Sequence, residues 1–118
     1  MSDYTIYHNP RCSKSRQTLQ LLEEKGIEPD VVRYLETPPD AATLADLIAK
    51  LGLTPRQLLR KGEAEYKELG LDDSALSDSA LIGAMVSAPK LIERPIVVKG
   101  DKAVLGRPPE NVLELVAS

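Results

Sequence analysis

Phenylalanine and tryptophan are absent from this sequence, and tyrosine occurs four times in 118 residues. The hydrophobic core must therefore be mainly aliphatic. Nucleic-acid-binding surfaces combine a basic stripe with aromatic side chains that stack on bases, so a chain with a net charge of -3 and few aromatics is not expected to bind nucleic acid. No apolar run approaches the length of a membrane span, so we expect no membrane partner.

Cysteine and histidine each occur once, as Cys12 and His8. One cysteine excludes an internal disulfide framework, and a free thiol is typical of a reducing compartment. No signal peptide precedes the first strand-like run, so we predict a cytoplasmic protein. Histidine, cysteine and aspartate do not cluster at the spacing of metal ligands, so neither a metal site nor a bound cofactor is expected.

The first third of the chain predicts a βαβ unit. Residues 3–8 and 31–35 are rich in β-branched and tyrosine side chains, which is typical of strands. Between them, residues 13–25 carry leucines at helical spacing and end at a glycine. Two strands joined by a helix are expected to pair in parallel.

The rest of the chain predicts helices followed by a hairpin. Residues 36–90 contain several helical patterns, each ended by glycine or proline. Residues 95–98 and 102–105 are two strands with a glycine-containing turn between them, and residues 108–116 form a terminal helix.

These elements together predict one α/β domain over residues 1–118. Its core, at about 1–35 and 91–118, would be a four-stranded mixed sheet with flanking helices in a thioredoxin-like fold. The helices at about 36–90 would form an inserted helical subdomain.

Cys12 lies where the first strand gives way to the helix. Unpaired N–H groups and the positive end of the helix dipole stabilise a thiolate there, and the thiol pKa falls. Arg11, Lys14 and Arg16 add positive charge, and His8 at the strand end could add more if it were protonated. An inert surface or buried cysteine is the alternative, but this setting favours a nucleophile.

Two familiar cysteine motifs are excluded by the residues that follow Cys12. Ser15 stands where a Cys-x-x-Cys motif would have its second thiol, so dithiol exchange within the chain is impossible. Thr18 stands where a phosphatase-type Cys-x5-Arg loop would have its arginine. Ser15 could donate a hydrogen bond to the Cys12 thiolate, or it could be an ordinary first-turn serine. His8 is likewise either a site residue or a solvated side chain.

Three arginines stand apart from the helix faces: Arg60, Arg94 and Arg107. Arg94 and Arg107 each precede a proline, which keeps the backbone extended and holds these side chains on turns at strand ends, where α/β sites form. Three guanidiniums that converged on a thiolate would bind a tetrahedral dianion through bidentate hydrogen bonds. The spacing does not force convergence, so three separate surface arginines remain the alternative.

Six segments resemble the family of glutaredoxin-coupled arsenate reductases, in order and at consistent spacing over nearly the whole chain. They are residues 7–16 (YHNPRCSKSR), 34–39 (YLETPP), 58–61 (LLRK), 68–71 (ELGL), 93–98 (ERPIVV) and 106–108 (GRP). The chain looks like a shorter subgroup of the family, because it lacks the C-terminal tail of the well-known arsenic-resistance members.

The resemblance implies a thioredoxin-like fold with a helical insert and gives each site residue a role. Cys12 would attack arsenate or a similar oxyanion, His8 would lower the thiol pKa and Ser15 would assist. The three arginines named above would bind the oxyanion and the reduced product. In such folds a cis-proline commonly occupies the place of Pro95, so we expect a cis bond there.

The activity implied is arsenate reduction with glutathione as co-substrate and glutaredoxin as partner. Glutathione would add to the covalent thioarsenate, glutaredoxin would resolve the mixed disulfide, and arsenite would leave. One alternative is a glutathione-dependent thiol oxidoreductase with another substrate. Another is an Spx-like transcription regulator that binds RNA polymerase, but such proteins typically carry Cys-x-x-Cys where this chain has Cys12 and Ser15.

Overall fold

The computed structural model describes residues 3–116, so the predicted domain limits at residues 1 and 118 lie outside the described part. Its strands and helices follow the predicted order. They are β1 (Tyr4–His8), α1 (Ser13–Glu24), β2 (Asp30–Arg33), α2 (Ala41–Leu51), α3 (Pro55–Leu58), α4 (Ala64–Glu68), α5 (Asp78–Ser87), β3 (Ile96–Lys99), β4 (Lys102–Leu105) and α6 (Leu113–Val116). The predicted terminal helix begins as a 3-10 turn, Pro109–Val112, which runs into α6. Over residues 3–116, no helix combines the length and apolar character that crossing a membrane requires.

The four strands form one mixed sheet in the order β2-β1-β3-β4. β1 pairs in parallel with β2 and antiparallel with β3, and β3 pairs antiparallel with β4. Gly100 closes the β3–β4 hairpin with φ of 62°, a left-handed conformation that favours glycine. The mixed sheet with flanking helices confirms the predicted thioredoxin-like fold class.

The chain divides into two compact units. The first consists of Met1–Thr37 and Arg94–Ser118, and the second of Pro38–Glu93. In the first unit α1 and the C-terminal turn pack on the sheet. Its core contains the fully or almost fully buried side chains Ile6, Leu22, Val97, Val112 and Leu115.

The second unit is helical and has its own buried leucines. Here α5 packs against α2, α3 and the 3-10 turn Pro89–Leu91. The most deeply buried side chains of these elements are Leu44, Leu58, Leu81, Met85 and Leu91.

Helix starts in the second unit are capped by short polar side chains. Asp40, Thr54 and Ser77 each accept a hydrogen bond from the backbone N–H three residues later, at 2.7–3.2 Å. Such caps satisfy one of the N–H groups that a helix leaves unpaired at its start. In α1, by contrast, the capping position is held by Cys12, whose side chain makes no capping hydrogen bond. The first-turn N–H groups of α1 therefore remain available to the thiol.

Candidate active site

The loop between β1 and α1 is organised by Asn9, which is buried. The Asn9 carbonyl oxygen accepts a hydrogen bond from the Cys12 N–H at 3.0 Å, and its side-chain Oδ1 accepts one from the Arg11 N–H at 3.0 Å. Its own N–H donates to Ser15 Oγ at 3.0 Å. One residue thus connects the strand end, the turn and the first helical turn. An Asn-Pro pair directly after a strand is the local sequence signal for such side-chain turns.

Cys12 is half-buried at the N-cap of α1, with an extended backbone conformation. Burial acts to raise the pKa of its thiol. The Ser15 N–H, the Arg94 guanidinium and the Lys14 N–H act in the opposite direction, because each favours the negatively charged sulfur. The net result is a Cys12 pKa below its ordinary value, so the predicted setting of the thiol at a helix start is the one that the structure has.

Arg94 connects the thiol to a second buried group. Burial acts to lower the Arg94 pKa, but the Tyr34 hydroxyl and the Cys12 sulfur both interact with its guanidinium and raise the pKa overall. Tyr34 is 1% exposed, so its hydroxyl is fixed by packing. The sequence contains no local signal for the pair, since 60 residues separate Tyr34 from Arg94 and their contact depends on the sheet.

His8 and Ser15 form a buried pair that joins the end of β1 to the first turn of α1. His8 Nδ1 and Ser15 Oγ are 2.6 Å apart and share a hydrogen bond, and Ser15 is fully buried. Burial lowers the His8 pKa, and the positive charges of Arg33 and Arg16 lower it further. His8 is therefore a neutral imidazole at neutral pH.

This geometry bears on what His8 and Ser15 can offer the thiol. The protonated form of His8, which could have added positive charge near the thiol, is disfavoured, because burial and the two arginines lower the His8 pKa. The Ser15 hydroxyl is engaged with His8 and with the Asn9 N–H and makes no hydrogen bond to Cys12. Ser15 instead acts on the thiol through its backbone N–H.

The remaining two arginines differ in their surroundings. Arg107 is exposed, and its Nη1 donates a long hydrogen bond to the Arg94 carbonyl oxygen at 3.4 Å, so the two arginine turns are in contact. Arg60 belongs to the helical unit, where it forms ion pairs with Glu93 at 2.7 Å and Glu63 at 3.4 Å. Its part in a shared anion site stays a prediction.

Both prolines that follow the site arginines have cis peptide bonds. The Arg94–Pro95 bond is cis, as predicted, and the Arg107–Pro108 bond is cis as well. Across residues 3–116, no three side chains among histidine, cysteine, aspartate and glutamate are grouped to hold a metal ion.

The arrangement as a whole suits nucleophilic attack on an anion. A thiol with a lowered pKa is held at a helix start beside a guanidinium that can pair with an incoming oxyanion as well as with sulfur. The model of the ArsC family matches residues 7–115, which include every predicted site residue. The chain belongs to the ArsC family.

Individual relatives agree with this assignment. The chain is 66% identical over 112 residues to the uncharacterized protein YfgD of Escherichia coli strain K12, with 94% of each chain covered. It is 52% identical over 113 residues to an arsenate reductase of Neisseria meningitidis serogroup B, covering 95% of this chain and 97% of the relative. A solved structure of an arsenate reductase from Vibrio cholerae is 58% identical, with a TM-score of 0.92 and coverage of 94% of this chain and 95% of that one.

We expect the Cys12 thiol to titrate below its ordinary value, and Arg94→Gln to raise its pKa because a stabilising positive charge is lost. Thiolate absorbance in the far ultraviolet measures the titration, with Cys12→Ser as the blank. Lys102→Gln is the matched control, since this exposed cation belongs to the β3–β4 hairpin, at the opposite end of the sheet from His8. A wild-type pKa at or above the ordinary value would remove the activated nucleophile.

His8 should titrate below its ordinary pKa of 6.5 and should destabilise the fold in acid. The folded state binds this proton less readily than the unfolded state does, so stability declines as the pH falls below about 6.5 towards the lowered value. Because His8 is the single histidine, its imidazole NMR signals report the titration without overlap. Chemical unfolding over roughly pH 5 to 8 should show a smaller acid-side decline in His8→Gln. An equal decline in both proteins would contradict the assignment.

Proposed function

We propose that this ArsC-family protein is an arsenate reductase that uses glutathione and glutaredoxin as its reductants. The observation that carries the proposal is the Cys12 thiol, whose pKa is lowered by helix N–H groups and by Arg94. The names of its relatives from Neisseria and Vibrio support arsenate as the substrate. Arsenate is a tetrahedral oxyanion, the class of ligand that guanidinium groups bind through paired hydrogen bonds.

The first step is attack of the Cys12 thiolate on arsenic(V). A sulfur–arsenic bond forms, and one arsenate oxygen leaves as water after taking up protons. Arg94 already contacts the sulfur and can pair with the arsenate oxygens as the bond forms. Arg107, in contact with Arg94, supplies a second guanidinium, and Arg60 completes the predicted set.

His8 and Ser15 support this step by holding the first turn of α1. Because His8 is neutral, its contribution is positional: it binds the Ser15 hydroxyl at 2.6 Å. Ser15 in turn presents its backbone N–H to the sulfur. Loss of either side chain would loosen the N–H groups that stabilise the thiolate.

The reduction that follows needs a thiol from outside the chain. The glutathione thiolate attacks the Cys12 sulfur and forms a sulfur–sulfur bond with it. The sulfur–arsenic bond breaks, and its electron pair goes to arsenic, which becomes arsenic(III). The Cys12 sulfur is left oxidised in a mixed disulfide with glutathione. Cys12 is the single cysteine in the sequence, so the chain offers no second thiol to resolve that disulfide. The resolving thiol comes from outside the chain, and glutaredoxin is the proposed acceptor of the glutathionyl group.

This chemistry also supports a cytoplasmic location. A catalytic thiol that must return to its reduced form needs a reducing compartment. Glutathione and glutaredoxin operate under those conditions. We therefore propose the cytoplasm as the place where the protein works.

Turnover of arsenate should require glutathione and should be accelerated by glutaredoxin, whereas thioredoxin without glutathione should support little. The assay couples glutathione oxidation to NADPH consumption, with Cys12→Ser as the inactive control. Mass spectrometry after exposure to arsenate and glutathione should show Cys12 carrying one glutathione.

Two results would each contradict a part of the proposal. Full turnover with thioredoxin alone would rule out the glutathione route. Ready glutathionylation of Cys12 without any arsenate turnover would favour a thiol oxidoreductase with another substrate.

The arginines should act through the shape of the guanidinium as well as through its charge. Arg94→Lys and Arg60→Lys keep the positive charge but lose the paired donors. Each should lower kcat/KM for arsenate about 10- to 100-fold, as expected for loss of a charged hydrogen bond worth roughly 1.5–3 kcal/mol. Arg56→Lys is the matched control, since Arg56 donates to the carbonyl oxygens of Leu71 and Asp73. Unchanged turnover in both site variants, with folding intact, would remove the arginine site.

A further inference from the structure

Three segments of the first unit approach each other closely at Gly106, a buried residue directly after β4. A Cβ atom at this position would lie 2.5 Å from Thr18 Oγ1, 2.9 Å from Thr18 Cγ2 and 2.8 Å from Pro95 Cγ. These distances are shorter than any ordinary van der Waals contact. The backbone of Gly106 therefore fits between α1 and the Pro95 turn because it has no side chain.

Hydrogen bonds connect the same three segments. The Gly106 N–H donates to the Pro95 carbonyl oxygen at 2.9 Å. Thr18, which is fully buried, donates its hydroxyl to the Lys14 carbonyl oxygen at 2.8 Å and lies 3.3 Å from the Gly106 carbonyl oxygen. We call this set of contacts among Thr18, Pro95 and Gly106 the three-way junction.

Each member of the three-way junction is next to a part of the active site. Pro95 follows Arg94, whose guanidinium interacts with the Cys12 sulfur. Gly106 precedes Arg107. Thr18 binds the carbonyl group of Lys14, the residue whose N–H also acts on the sulfur.

We propose that Thr18 and Gly106 are positioning residues, which hold the Arg94 and Arg107 turns at a fixed distance from the Cys12 end of α1. In this role the three-way junction needs no contact of its own with the sulfur or with the anion. It acts through the residues next to it, by setting how closely α1 approaches the two arginine turns. The proposal rests on the proposed function for the choice of arsenate as substrate, but its geometry is independent of that choice.

A side chain at Gly106 should separate the segments and disturb the anion site while the fold remains. Because misplacement of reacting groups by about 1 Å can cost about 100-fold in rate, Gly106→Ala should lower kcat/KM for arsenate by about that factor. The Cys12 pKa should rise towards its ordinary value as Arg94 moves away. Gly83→Ala is the matched control, because Gly83 has no atom within 4 Å of the new Cβ and lies in α5.

A second readout works without arsenate. Iodoacetate is an anion and iodoacetamide is neutral, so the ratio of their alkylation rates at Cys12 reports the positive charge held beside the sulfur. We expect this ratio to fall in Gly106→Ala and to be unchanged in Gly83→Ala. The ratio is compared under conditions where both variants are fully folded, because an unfolded chain also loses the positive charge beside the sulfur.

Two substitutions of Thr18 test the three-way junction without adding a larger side chain to it. Thr18→Val removes the hydroxyl and keeps the branched shape, and it should lower kcat/KM and the alkylation ratio by roughly 3- to 10-fold, as for loss of a single neutral hydrogen bond. Thr18→Ser keeps the hydroxyl and should stay close to the wild type. If Gly106→Ala fails to fold, this pair decides the question.

The outcomes separate this proposal from the proposed function. If Gly106→Ala and Thr18→Val fold and match Gly83→Ala in Cys12 pKa and alkylation ratio, the three-way junction does not position the arginines, whatever the turnover. If the wild type shows no arsenate turnover but the ratio falls in both variants, the proposed substrate is wrong and the positioning role stands.

Discussion

The structure of the site depends on lowering the pKa of one half-buried thiol. Burial by itself favours the neutral thiol, so the fold must supply enough hydrogen-bond donors and positive charge to overcome it. Two N–H groups come from the first turn of α1, where the cysteine itself takes the place of a capping residue. The third contribution comes from Arg94, at the entrance of β3. A strand end, a helix start and a second strand must therefore meet at one point.

The polar residues around the sulfur hold these three segments together and add little charge. Asn9 satisfies three hydrogen bonds of the loop, and neutral His8 holds the Ser15 hydroxyl. These groups are buried and paired, so they give the loop one conformation and avoid the cost of unsatisfied polar atoms. A charged imidazole in the same place would be disfavoured by burial and by two nearby arginines. The contribution of His8 and Ser15 to the thiol is therefore to hold the backbone N–H groups of α1 in place.

The parts of the fold predicted correctly are those with local signals. β1, α1 and the β3–β4 hairpin follow from side-chain periodicity and from glycines such as Gly26 and Gly100, which adopt positive φ at the ends of these elements. Cys12 could be selected because its position at the strand-to-helix change is itself local. The position of Thr18 in the sequence excludes a phosphatase-type loop but does not predict its contact with Gly106, which is distant in the chain. A signal for the burial of Thr18 does exist, since it lies at helical spacing from Ser15 and Leu22, on the buried face of α1.

By itself, the sequence determined the order of elements and the fold class, and it selected Cys12 as the candidate nucleophile and the single thiol of the chain, because each depends on neighbouring residues or on a count of residue types. The tertiary structure decided the charge of His8, the partner of the Ser15 hydroxyl, and the approach of Thr18 to Gly106. These features depend on burial and on contacts between residues far apart in the chain, with Thr18 and Gly106 separated by 88 positions. Desolvation and long-range hydrogen bonding have no counterpart in local sequence pattern, since they exist once the sheet has brought its strands together.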